Sequence, residues 1–164
     1  MFKSGRREES PVNIRDLVYE VLALVHGELH GHGASVQANV HPDLPRIVGD
    51  RVQLQQVLVN LIMNAVEAMS SVQDHERSLL VESRLHGPND VLITVEDSGP
   101  GIDADEVEHL FEPFFTTKSH GMGLGLAISR SIIEARGGRL WVSGRIPHGA
   151  VFHVQLPSDL SVGK

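Results

Sequence analysis

Apolar residues along the chain change period several times, and each change marks an element. In "SPVNIRDLVYEVLALVHGELH" they fall at Ile14, Leu17, Val18, Val21, Leu22 and Val25, the three-and-four spacing that puts one stripe on a helix. "ASVQANVHPDLP" alternates at Val36, Ala38 and Val40 and then meets two prolines, which predicts a half-buried strand. A long helix follows, capped by Asp50, with Leu54, Val57, Leu58, Leu61, Ile62, Ala65, Val66 and Met69 as its wide apolar surface. "SLLVESRLH" and "VLITVEDS" read as strands joined by the hairpin punctuation "GPND". A Gly/Pro turn, a short acidic helix, an irregular stretch over 112–122, a helix ending near Arg136 and the strands "RLWVSG" and "GAVFHVQLP" complete the chain. Helix, strand, helix, two strands, helix, two strands is not the alternation of a Rossmann or P-loop protein. It predicts an α+β fold, a two-layer α/β sandwich with helices on one face of a mixed, mostly antiparallel sheet.

Polar residues on the long helix add a second pattern. Gln53, Gln56, Asn60, Asn64 and Glu67 form a stripe beside the apolar surface, and Asn60 and Asn64 stand one turn apart. Asparagine is a poor helix former, so the pair fits either a solvated outer face or a site for a hard cation, to which neutral carbonyl oxygens are good ligands. In "VEDSGPGID", Asp97 ends an apolar strand and Gly99, Pro100 and Gly101 turn the chain at the mouth of the sheet. The carboxylate can close an Asx turn or accept a hydrogen bond from an exocyclic amine. "SHGMGLGLAIS" places Gly121, Gly123 and Gly125 at alternate positions before a helix; such a segment is either a hinge or a backbone cradle for phosphate.

Size and charge narrow the choice. The 164 residues suffice for one domain with its own core, and 41% hydrophobic and 21% charged residues are ordinary for a globular protein. A formal net charge of −7 argues against general binding to nucleic acid or an anionic membrane surface, so an anionic ligand must be held locally. The absence of cysteine removes disulfides, thiolate zinc sites and a cysteine nucleophile. No apolar run is long enough for a membrane span, and "MFKSGRREES" lacks the apolar centre of a signal peptide.

Taken in order, "NLIMNAVEAM", "DSGPGI", "LFEPFFTTK", "GMGLGLAIS" and "GAVFHVQLP" resemble the N, G1, F, G2 and G3 boxes of the ATP-binding catalytic domain of two-component sensor histidine kinases. The resemblance runs from about Val12 to Pro157 and implies a Bergerat-type sandwich with a mobile ATP lid. It makes 1–11 a linker trailing from an upstream dimerisation helix, 12–157 the ATP-binding catalytic domain and 158–164 a tail. The implied cofactors are ATP and Mg²⁺. Asn64 matches the metal-ligating position and Asn60 the other N-box asparagine, beside the phosphates. Asp97 matches the acceptor for the adenine amine, with Gly99 and Gly101 shaping its pocket and Ile102, Leu124 and Leu126 either lining it or belonging to the core. Phe111, Phe114 and Phe115 match lid anchors, Lys118 a lid cation able to reach the terminal phosphates, and Gly121, Gly123 and Gly125 the phosphate-facing loop.

The same resemblance implies partners: a dimerisation and histidine-phosphotransfer domain of the parent kinase and a response regulator, in the cytoplasm, with no nucleic acid and no direct membrane contact from this segment. Departures from the family pattern matter. Glu67 replaces a basic residue common near the phosphates, and Ala150 stands where a Thr or Ser is common. No phospho-accepting histidine box is present: His75 in "DHERSLL" leads into a strand and His41 in "HPDLP" sits in a turn. The chain therefore reads as the ATP-holding half of a two-part enzyme. Related ATPases carry a water-activating Glu one turn before the metal asparagine, and here Asn60 holds that place. A neutral amide is a weak base, so hydrolysis should be slow.

Overall fold

A computed structural model describes residues 9–107, 109–113 and 125–161. Strand β1 (Glu9–Val12) leads into helix α1 (Ile14–Leu24), α2 (His26–Gly31), β2 (Ser35–Val40) and β3 (Ile47–Asp50). The long helix α3 (Arg51–Met69) precedes the hairpin of β4 (Ser78–His86) and β5 (Asp90–Asp97), then come α4 (Ala104–Val107), α5 (Gly125–Ala135), β6 (Arg139–Gly144) and β7 (Ala150–Pro157). Five strands form an open sheet in the order β2-β4-β5-β7-β6. Only β2 and β4 run parallel; β4–β5, β5–β7 and β6–β7 are antiparallel. The fold is thus the α+β sandwich that the element order predicts.

Alternation along the strands decides which face is covered. Leu79 and Val81 of β4, Val91, Ile93 and Val95 of β5, Leu140 of β6 and Phe152, Val154 and Leu156 of β7 are all buried, and α1, α3 and α5 contribute to the same core. Each such side chain stabilises the fold by roughly 1.5–3 kcal/mol relative to its exposed state. All eight apolar residues expected of α3 are in that core. The helix starts where expected because the Asp50 carboxylate accepts from the amides of Val52 at 3.0 Å and Gln53 at 3.3 Å, which would otherwise lack partners.

Two departures from the sequence reading have local causes. The first helical stripe breaks at Val25 and resumes as α2, whose second residue, Gly27, weakens a continuous helix. It ends in a Schellman turn: Gly33, at φ +65°, donates to the carbonyl of His30, and Ala34 donates to that of Leu29. The unexpected strands β1 and β3 pair with each other antiparallel, outside the main sheet, with Val12 opposite Ile47 and both buried. Arg136 at the end of α5 is ion-paired to Glu9 of β1, and Arg51 of α3 to Glu20 of α1.

Candidate functional site

The end of β5 meets three backbone segments at one carboxylate. Asp97 is buried, with 2% of its surface exposed, and its Oδ1 accepts from the Gly99 amide at 2.8 Å. A Cβ on Gly99 would lie 3.0 Å from that same oxygen and 3.1 Å from the Ala68 carbonyl oxygen of α3. Gly149 has φ +112°, and a Cβ there would lie 2.0 Å from the Asp97 carbonyl oxygen; Gly101, at φ +92°, faces the Gly149 carbonyl. A side chain at any of these three glycines would be crowded or strained, so the chain beside Asp97 is bare backbone at these positions.

Burial governs the electrostatics at Asp97. It pushes the carboxyl above the ordinary value of 3.8, and Glu96 adds to the rise, while the amides of Gly99 and Ala150 and the Arg145 guanidinium oppose it. Arg145 itself donates through Nε to Glu96 at 2.6 Å. Behind the turn, the buried Ser98 hydroxyl donates to the Glu76 carbonyl at 3.0 Å and accepts from the Ser78 amide at 2.8 Å. The Ser98 carbonyl lies 2.8 Å from His75 Nε2, and the His75 ring stacks on His148 at 3.8 Å between centroids. These contacts pin the chain on both sides of Asp97.

The helices α3 and α5 carry the second group of candidate residues. Asn60 and Asn64 are both half-buried, between the exposed Gln56 and Glu67 on the same stripe. Asn60 Nδ2 donates to Ser129 Oγ at 3.2 Å and to the Gly125 carbonyl at 3.4 Å, both on α5. The structure therefore brings Asn60 and Gly125 together, and separately Asp97, Gly99 and Gly101. Ile102 and Leu126 are half-buried and pack against the core. Phe111 meets Phe152 edge to face at 6.3 Å, with the Arg130 guanidinium 5.0 Å from its ring centroid. Lys118, Gly121, Gly123, Leu124, Phe114 and Phe115 lie outside the described residues.

Sequence reasoning gave no role to Gly149, His148 or Ser129, although Gly149 opens the segment "GAVFHVQLP" and Ser129 closes "GMGLGLAIS". Gly149 had a readable signal, a glycine between a turn and an apolar strand. Ser129 had no signal for its partner, because a serine within an apolar helical run gives no sign of the residue facing it.

Comparison with known proteins agrees with this architecture. Residues 49–160 match the family of histidine kinase-, DNA gyrase B- and HSP90-like ATPases. The chain belongs to that family. It is 40% identical over 154 residues to the sensor protein FixL of Bradyrhizobium diazoefficiens, covering 94% of this chain and 30% of FixL. To the sensor histidine kinase TmoS of Ectopseudomonas mendocina it is 38% identical over 148 residues, covering 90% of this chain and 15% of TmoS. The chain thus spans less than a third of the length of these relatives. The catalytic domain of histidine kinase ThkA, solved without nucleotide, superposes with a TM-score of 0.82 at 34% identity, covering 92% of this chain and 96% of that one. ThkA has also been solved in complex with the response regulator protein TrrA; that structure matches with a TM-score of 0.77 at 32% identity, covering 92% and 42% of the two chains.

Proposed function

We propose that this domain binds Mg²⁺-ATP and presents the γ-phosphoryl group for transfer to a histidine on the dimerisation domain of a parent sensor kinase, which then phosphorylates a response regulator. The observation that carries the reading is Asp97: a buried carboxylate at the end of β5, beside glycines at which an added Cβ would meet the surrounding backbone or the carboxylate itself. An exocyclic amine is a suitable partner for it, and the adjoining glycine backbone suits a flat ring. The neutral carboxamides of Asn60 and Asn64 suit the other end of the nucleotide. Asn64 would hold Mg²⁺, which when bound neutralises phosphate charge. Lys118 and the glycines 121, 123 and 125 are assigned to the phosphates on their sequence match alone.

Phosphoryl transfer needs mainly positioning and charge neutralisation, so this chain requires no general base of its own. Asn60 in place of a carboxylate is consistent with delivery to a histidine and slow loss to water. Among the described residues no helix is long and apolar enough to cross a membrane. Cytoplasmic action follows from the proposed use of ATP and a response regulator. The domain limits of 12–157, with a linker before and a tail after, remain part of this reading.

The test is reconstitution with a separate dimerisation domain carrying the acceptor histidine and γ-labelled ATP. Acid-labile label on that histidine, dependent on this chain, is the expected result. Nucleotide binding without transfer would make the chain a regulatory module, and release of free phosphate at a comparable rate would make it an ATPase.

A further inference from the structure

We infer that Ser129 is a positioning residue, setting the orientation of the Asn60 carboxamide at the phosphate end of the proposed nucleotide site. The inference rests on that reading of the site. Ser129 is fully buried, and with Ile133 one turn later it is the inward face of α5. A buried hydroxyl needs a polar partner, and an alanine would pack there without that requirement. The partner is on the facing helix: Asn60 Nδ2 at 3.2 Å.

The same nitrogen also reaches the Gly125 carbonyl, one turn before Ser129, at 3.4 Å. A carbonyl only accepts, so the amide nitrogen must be the end turned toward α5, which directs Oδ1 away from it. A carboxamide on its own has a broad, shallow preference about its terminal torsion. Two acceptors one helical turn apart remove that freedom. Without the Ser129 hydroxyl, the remaining contact is near the distance limit of a hydrogen bond, and Asn60 is free to rotate.

The experiment uses the whole chain with two probes, a non-hydrolysable Mg²⁺-ATP analogue and adenosine, and the variants Asn60→Ala, Ser129→Ala and the double variant. Ser129→Ala should weaken the triphosphate analogue roughly fivefold, the scale of one lost hydrogen bond, and leave adenosine unchanged. In the Asn60→Ala background, Ser129→Ala should have no further effect on the analogue. Ser129→Thr, which keeps the hydroxyl, should restore the affinity. The Asn60 side-chain amide signals in a ¹⁵N spectrum should shift in Ser129→Ala, a readout that needs no ligand. Equal weakening of both probes would reduce Ser129 to a packing residue and overturn the inference. So would Asn60→Ala weakening the analogue while Ser129→Ala does not, and in that case the nucleotide site itself would stand. If Asn60→Ala leaves the analogue's affinity intact, Asn60 has no place at the phosphates and the inference falls with it.

Discussion

The two ends of the proposed nucleotide site are made of different materials. Around Asp97 the walls are backbone: Gly99 donates its amide to the carboxylate, and Gly101 and Gly149 take positive φ values where the chain segments touch. Between α3 and α5 the parts are side chains, Asn60 reaching across to Ser129 and Gly125. A backbone wall is fixed once the sheet has formed and tolerates no added atom. A side-chain bridge between helices can be re-aimed by rotating one torsion. The contrast suits a ligand with one rigid end, read by shape and a single buried charge, and one flexible charged end, read by adjustable polar groups.

Adding one methyl group at each end gives the largest expected difference. Gly149→Ala places a Cβ against the Asp97 carbonyl at a positive φ, and strain and overlap together should cost about 3–5 kcal/mol of folding stability. Gly125→Ala, at the first position of α5, meets among the described residues only Asn60 atoms at 3.8 Å, an ordinary contact, and should change stability by less than about 1 kcal/mol in either direction. Denaturant melts of the two variants decide it; similar losses would erase the distinction between the ends. Gly125→Ala should nonetheless weaken triphosphate binding if the backbone there faces phosphate.

A smaller effect concerns the metal. Asn64→Ala should weaken Mg²⁺-dependent nucleotide binding by about 1–3 kcal/mol while metal-free binding changes little, measured by calorimetry with and without Mg²⁺. Equal losses in both titrations would remove Asn64 from the metal.

The smallest effect belongs to Asp97 in the ligand-free protein. Because burial raises its pKa in the fold, the native state binds the proton more tightly than the unfolded chain. The associated stability is fully present below 3.8 and is lost as pH rises through the raised value. The stability of the unaltered chain relative to Asp97→Asn, which does not titrate, should therefore fall across that window and level off above it. A relative stability that rises with pH would mean that the Gly99 and Ala150 amides outweigh the burial.

Much of this was legible in the chain. The eight-residue apolar surface of α3 and its Asp50 cap are local patterns, and both are found where the periodicity places them. The pair β1 and β3 was not legible, since "ESPV" and "IVGD" are too short for alternation to register and become strands only by pairing across the intervening chain. Asn60 stood out as an asparagine in a helix. Its counterpart Ser129 became visible only when α5 was laid against α3. His75, read only as a residue outside any acceptor box, proves to hold the Ser98 carbonyl beside Asp97.

The most direct test of the account is the affinity of the unaltered chain and of Asp97→Asn for ATP and for inosine triphosphate, which lacks the exocyclic amine of adenine. If the buried carboxylate reads that amine, the unaltered chain binds ATP more tightly than inosine triphosphate, and the preference shrinks in Asp97→Asn. Equal binding of the two nucleotides by the unaltered chain, or a preference that survives the substitution, would contradict it.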